Sequence, residues 1–206
     1  MKNWRNHFGL IFPLLAVIGL AIWPTVTGSI SNRESAFTIL KAIALASSLN
    51  ILLGYTGYVS FGHIVFFGFG GYVGLYLLNN QEWPIWAAML SGGISSGILA
   101  FLLGKAILRL RGAYFALATI GINEAIKAFV NNFDLFGGPI GITLNFKVYK
   151  VYGGAAEALS MAFYIMTGLT LAAIILSYLV RVSKFGLGLL AIRENEDAAE
   201  VMGVVA

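Results

Sequence analysis

Apolar residues in this chain come in long blocks, and six of them approach the roughly 20 residues that a helix needs to cross a bilayer. The blocks are residues 8–27, 36–53, 61–78, 83–104, 113–130 and 160–180. None shows the period-two alternation of a barrel strand, and backbone in lipid must satisfy its own hydrogen bonds, so each block predicts a helix. The expected fold is all-α, a polytopic transmembrane helix bundle. Between Ala42 and Gln81 a run of 40 residues holds no Asp, Glu, Lys or Arg. Lys2 and Arg5 before the first block suggest a secretory signal, but the block is longer than a signal core of roughly 7–15 residues, so it reads as a retained span.

Composition strengthens this picture. Only 11% of the 206 residues are charged and 59% are hydrophobic, with a mean hydropathy of +0.85. Too few charges remain to solubilise a domain of this size in water. The absence of cysteine rules out disulfides and thiolate chemistry. A net charge of +4 with no basic cluster excludes a nucleic-acid surface. With an inside N-terminus, Lys2, Arg5, Lys105, Arg109, Arg111, Arg181 and Lys184 fall on the cytoplasmic side, and only Arg33, Lys147 and Lys150 fall outside. This distribution predicts a cytoplasmic N-terminus and a cytoplasmic tail. The chain divides into a membrane bundle over residues 1–180 and a cytoplasmic segment over 181–206.

The junction Gly54-Tyr55-Thr56-Gly57-Tyr58-Val59-Ser60-Phe61-Gly62-His63 interrupts the pattern. Glycines and small polar residues without charges fit a helix broken or re-entrant inside the membrane, with free peptide groups lining a cavity. A short cytoplasmic turn is the alternative. Further on, Gly70 and Gly74, and likewise Gly93 and Gly97, are spaced as G-x-x-x-G, which lets helix backbones approach closely in lipid. No strand precedes these glycines and no G-x-x-x-x-G-K-[ST] occurs, so they bind no nucleotide.

Ionisable groups in or beside the spans are Lys41, Glu124 and Lys127. Glu124 and Lys127 stand three apart and share a helix face. Charges in spans usually face a bundle interior or a wet cavity, which makes Glu124 a functional candidate; the alternative is a helix-steadying pair in which Lys127 snorkels. His63 has only His7 as a fellow histidine, so a lining or capping role is expected rather than metal ligation. A catalytic pair of Ser60 and His63 lacks an orienting third group. The turn-forming stretch Asn131-Asn132-Phe133-Asp134, followed by Gly137-Gly138-Pro139-Ile140-Gly141, ends the fifth helix and opens a long external segment.

The tail from Arg193 to Glu200 sets one arginine against four carboxylates. Leu189, Ile192, Ala199 and Met202 recur near a helical spacing and predict one short amphipathic helix. Its polar face is acidic where a membrane-surface anchor is usually basic, so a protein partner fits it better than lipid headgroups.

Several segments together resemble the permease subunit of branched-chain amino acid ATP-binding-cassette importers. They are Gly57-Tyr58-Val59-Ser60-Phe61-Gly62-His63 with Phe66-Phe67-Gly68-Phe69-Gly70-Gly71-Tyr72, then Leu108-Arg109-Leu110-Arg111-Gly112-Ala113-Tyr114-Phe115-Ala116, then Asn131 to Gly141. Phe185-Gly186-Leu187-Gly188 and Ala191 to Gly203 complete the set. The resemblance implies a non-catalytic transport subunit that binds no cofactor itself, ATP being held by a partner. It implies a coupling element of the E-A-A-x-x-x-G kind, carried by Asp197, Ala198, Ala199 and Gly203 with Arg193 and Glu196 beside it. Implied partners are cytoplasmic ATPase subunits, a second permease subunit and an extracytoplasmic substrate-binding protein, in the inner membrane. Tyr55, Thr56, Gly57, Ser60, Gly62, His63, Phe66 and Glu124 are the expected substrate path. Members of the family continue with further spans, so the chain reads as ending early. Three alternatives stay open: a permease for urea or amides, a stand-alone carrier or channel coupled through Glu124, and an intramembrane enzyme at Ser60 and His63.

Overall fold

The structure, a computed structural model, describes residues 2–204, and of residues 2–8 the backbone alone. The expectations placed on the side chains of Lys2, Arg5 and His7 therefore lie outside the described residues. Everything regular among the described residues is helical. The order is α1 (Lys2–Thr27), α2 (Ile30–Thr56), α3 (His63–Asn80), α4 (Ile85–Ile107), α5 (Ala113–Asn132), α6 (Phe146–Val151), α7 (Ala155–Val182), α8 (Lys184–Glu194) and α9 (Glu196–Val201). Two 3-10 turns, Asp134–Phe136 and Gly138–Ile140, lie between α5 and α6.

Five helical segments are long and apolar enough to cross a membrane: Gly9–Thr27, Ile30–Thr56, Ile85–Ile107, Ala113–Asn132 and Ala155–Val182. The remaining expected span, residues 61–78, becomes α3, which falls outside that set. The reason is local: the interruption consumes residues 57–62, and what remains begins at His63 and ends in Asn79 and Asn80. At about 1.5 Å per residue, α3 is about 27 Å long, slightly less than the hydrocarbon core.

The chain forms two compact units, residues 58–152 and the two flanking segments 1–57 and 153–206. In the flanking unit α1, α2 and α7 enclose a core of Val17, Ala36, Leu40, Phe163, Met166 and Ile174. Helices α2 and α7 run parallel, since their contacts advance together along both. Arg33 in the first turn of α2 donates to the Ser160 hydroxyl, and the buried Thr170 hydroxyl lies 3.1 Å from the Leu40 carbonyl. Near the other end, Tyr55 donates to the Ser177 carbonyl at 3.1 Å. Arg33, expected in an external loop, is thus part of a helix, its guanidinium accommodated by a hydroxyl on the neighbouring helix. Helices α8 and α9 belong to this same unit.

In the 58–152 unit, α3 and α4 form a close antiparallel pair joined by residues 81–84. A Cβ on Gly70 would come within 2.8 Å of the Gly92 carbonyl oxygen, and one on Gly74 within 3.3 Å of the Ala88 carbonyl oxygen. Ser96 adds a hydrogen bond to the Phe66 carbonyl at 2.6 Å. The small residues that meet α3 are therefore Ala88, Gly92 and Ser96. Gly93 and Gly97 have no described atom within 4 Å of an added Cβ. The G-x-x-x-G spacing in α4 thus lies off the α3 crossing, which a hydroxyl and a methyl serve together with Gly92.

Candidate functional site

Two features stand out, the interruption between α2 and α3 and the elbow at the end of the chain. Helix α2 closes on Gly57, whose N–H bonds to the Leu53 carbonyl at 3.1 Å with φ 76°, a left-handed conformation suited to glycine. Tyr58–Gly62 are non-helical and α3 begins at His63, so the interruption falls where the glycines predict, an arrangement that a broken helix and a short turn between two helices share.

Helix α5 holds the far side of the break. The Thr119 hydroxyl accepts the Phe61 N–H at 3.1 Å and donates to the Ala116 carbonyl at 2.7 Å. A Cβ on Gly62 would stand 2.7 Å from the Thr119 carbonyl oxygen, so this end of the non-helical stretch lies directly on the helix. Tyr58 and Phe115 complete the contact with an edge-on ring pair, centroids 4.9 Å apart. Sequence reasoning missed Thr119. A threonine in a membrane helix can bond to its own preceding turn, so its presence gives no outward signal of a further partner.

The residues expected along the substrate path are distributed as follows. Tyr55, Thr56 and Gly57 belong to the flanking unit, and Tyr55 lines a cavity of about 410 Å³ between α1, α2 and α7 with Asn50, Ser177 and Arg181. Ser60, Gly62, His63, Phe66 and Glu124 belong to the other unit. A smaller cavity of about 200 Å³ lies there between α3 and α5, lined by Ile64, Val65, Phe69, Tyr72, Asn123 and Lys127. Glu124 does not line it. Its carboxylate stands 3.8 Å from the Lys127 ammonium, with both side chains more than 60% exposed, and Asn123 bonds to it at 3.4 Å. The described residues contain no cluster of His, Cys, Asp and Glu able to hold a metal ion.

Beyond α5, the glycine-rich stretch is folded back rather than open. Phe136 is buried against Phe69, Tyr72 and Phe133. A further cavity of about 490 Å³ in this unit is lined by Asn79, Glu82, Trp83, Lys147 and Tyr152, among others.

The tail is two helices, where the apolar spacing predicts one. Asn195 is extended, at φ −162° and ψ 111°. Its N–H ends α8 on the Ala191 carbonyl at 3.1 Å, while its side-chain oxygen caps α9 by accepting the Ala198 N–H at 3.0 Å. Glu196 and Asp197 then fall in the first turn of α9 and Arg193 in the last turn of α8, each charge complementing the helix dipole.

The break at Asn195 resets the phase of the apolar face. Ala199 is buried at 4% exposure, but Met202 is 85% exposed and Val201 86%. Met202 therefore does not share a buried face with Leu189, Ile192 and Ala199. Gly203 accounts for the end of the motif. At φ 87° its N–H reaches the Glu200 carbonyl, and the Val204 N–H reaches the Ala199 carbonyl, both at 3.0 Å. This pair of bonds is a Schellman closure, and it needs a left-handed residue. Alanine and glycine in this motif thus have separate jobs: Ala199 lets α9 lie close, and Gly203 stops it so that Val201 and Met202 project.

The elbow is also attached to the break. Arg193 Nη1 donates to the Gly54 carbonyl at 2.8 Å, one of the carbonyls that the end of α2 leaves without a helical partner. A Cβ on Gly57 would lie 3.2 Å from Arg193 Cγ.

The chain is 32% identical to the high-affinity branched-chain amino acid transport system permease protein LivM of Salmonella typhimurium, and 31% identical to that of Escherichia coli. Each alignment extends over 132 residues, 63% of this chain and 31% of the relative, so the matched region is about a third of those proteins. No solved structure matches. Residues 34–206, from near the start of α2 through the break and the α8–α9 elbow, match the family described as "Branched-chain amino acid transport system / permease component", and the chain belongs to that family.

Proposed function

We propose that this polypeptide forms part of the translocation path of an ATP-binding-cassette importer for branched-chain amino acids. In this reading it binds no nucleotide and catalyses no reaction. Separate cytoplasmic ATPase subunits hold ATP and engage α9, a second permease subunit completes the path, and an extracytoplasmic binding protein delivers substrate. With α3 as a sixth crossing beside the five longer spans, both the N-terminus and the α8–α9 elbow are cytoplasmic, in keeping with the basic residues at the loop ends. Tyr55, Thr56 and Gly57 at the end of α2, Ser60, Gly62 and His63 after it, Phe66 on α3 and Glu124 on α5 are assigned to the path.

The observation that carries the proposal is the α8–α9 elbow. A six-residue helix has too few internal bonds to persist alone, yet this one is capped at both ends and presents two bare apolar side chains beside Asp197 and Glu200. An exposed apolar tip with an acidic rim is the form of a protein-docking element.

The test is uptake into vesicles containing the chain together with the ATPase subunits that copurify with it. ATP-dependent accumulation of labelled leucine, isoleucine and valine, in preference to urea, is expected. Accumulation of urea in their place overturns the substrate. Uptake driven by an ion gradient without ATP, and abolished by Glu124→Gln, overturns the importer in favour of a carrier.

A further inference from the structure

We infer that Arg193 is the tie rod of this permease: through its bond to the Gly54 carbonyl it fixes the α8–α9 elbow to the last turn of α2, so that displacement of the elbow moves the chain leading into the break. The inference rests on the importer reading above and adds to it a positioning residue with a defined route. Sequence resemblance placed Arg193 among residues that engage the ATPase. In the structure its head turns back onto the end of α2.

Three observations converge on this contact. Arg193 lies two residues before Asn195, the extended residue where the elbow bends. Its guanidinium takes the Gly54 carbonyl at 2.8 Å, placing a cation at the negative end of the α2 dipole. Its stem passes over Gly57, where a Cβ would stand 3.2 Å from Cγ, so the left-handed glycine that ends α2 also makes room for the arginine. From Gly57 the chain enters the non-helical Tyr58–Gly62 directly, so a pull on this turn is delivered to the break through covalent bonds. A charge-assisted bond to a carbonyl is stronger than a neutral one and holds its direction, which a rod requires.

The arrangement supplies its own test. Cβ atoms placed on residues 57 and 193 are 4.0 Å apart, within the disulfide range of about 3.5–4.5 Å. The chain has no other cysteine, so Gly57→Cys with Arg193→Cys makes a link that can be switched within one preparation. In the complete assembly in vesicles, Arg193→Ala is expected to retain the ATPase subunits and their hydrolysis. It should lose about tenfold in substrate moved per ATP consumed, as removing a coupling contact does. Arg193→Lys should recover part of this. The double-cysteine chain should behave like Arg193→Ala when reduced and regain coupling when oxidised.

Loss of ATPase retention in Arg193→Ala, in proportion to lost transport, makes Arg193 a docking residue and overturns the inference. Unchanged coupling in Arg193→Ala, or no recovery on oxidation of a link confirmed by mass, overturns it equally. A wild-type chain that retains no nucleotide hydrolase removes the importer reading and the tie rod with it. A wild type that transports while the variants behave otherwise than stated removes the tie rod alone.

Discussion

Single residues in this protein act mostly through backbone groups. Thr119 is the clearest case, since its hydroxyl occupies a peptide N–H of the break that has no helical partner. Thr119→Val keeps the shape and removes the acceptor, leaving Phe61 N–H unsatisfied at a cost of about 1–3 kcal/mol. Amide exchange at Phe61 should accelerate accordingly, with the α3–α4 pair unaffected. Gly203 acts through its conformation: Gly203→Val forces a β-branched residue to φ 87°, costing about 1–3 kcal/mol, and should fray α9, seen as loss of exchange protection at Met202 and Val204. Val201 and Met202 act through exposure. Because they touch little within the chain, Val201→Asp with Met202→Asp should leave thermal unfolding unchanged while abolishing copurification of the proposed ATPase subunits.

At the scale of elements, glycine spacing alone is ambiguous and the partner helix decides it. Gly92 approaches Gly70 backbone to backbone, so Gly92→Leu should force α3 and α4 apart and lower the yield of folded protein in detergent. Gly93→Leu, one residue away, has open space and should be tolerated. The pair of variants separates close packing from mere helix propensity, because both add the same side chain to the same helix. The elbow shows the same dependence on context. Read as one helix, residues 189–202 place Met202 with Ala199; with Asn195 ending one helix and capping the next, the two part company.

Over the whole molecule, many large apolar side chains stay exposed, among them Phe12, Leu15, Trp86, Phe101 and Leu176. These lie on helices long and apolar enough to span a bilayer, so the natural solvent of those faces is lipid or neighbouring membrane protein. The chain should remain in the membrane pellet after alkaline extraction and enter solution only with detergent. Release into the aqueous phase contradicts a multi-pass protein.

Charge scarcity and block-like hydropathy determined that this is a helical membrane protein, because length and polarity alone decide whether a segment suits lipid. The Gly54–His63 stretch likewise announced its own interruption, since glycine and small polar residues weaken a helix wherever they stand. The ordered motifs carried the family as well. What the tertiary structure decided was everything that depends on a second element. That Ala88, Gly92 and Ser96 make the crossing, that Thr119 receives Phe61, that Arg33 settles on Ser160 and that Arg193 reaches back to Gly54 are pairings between distant residues. No local pattern encodes them, because a side chain's role follows from what stands opposite it.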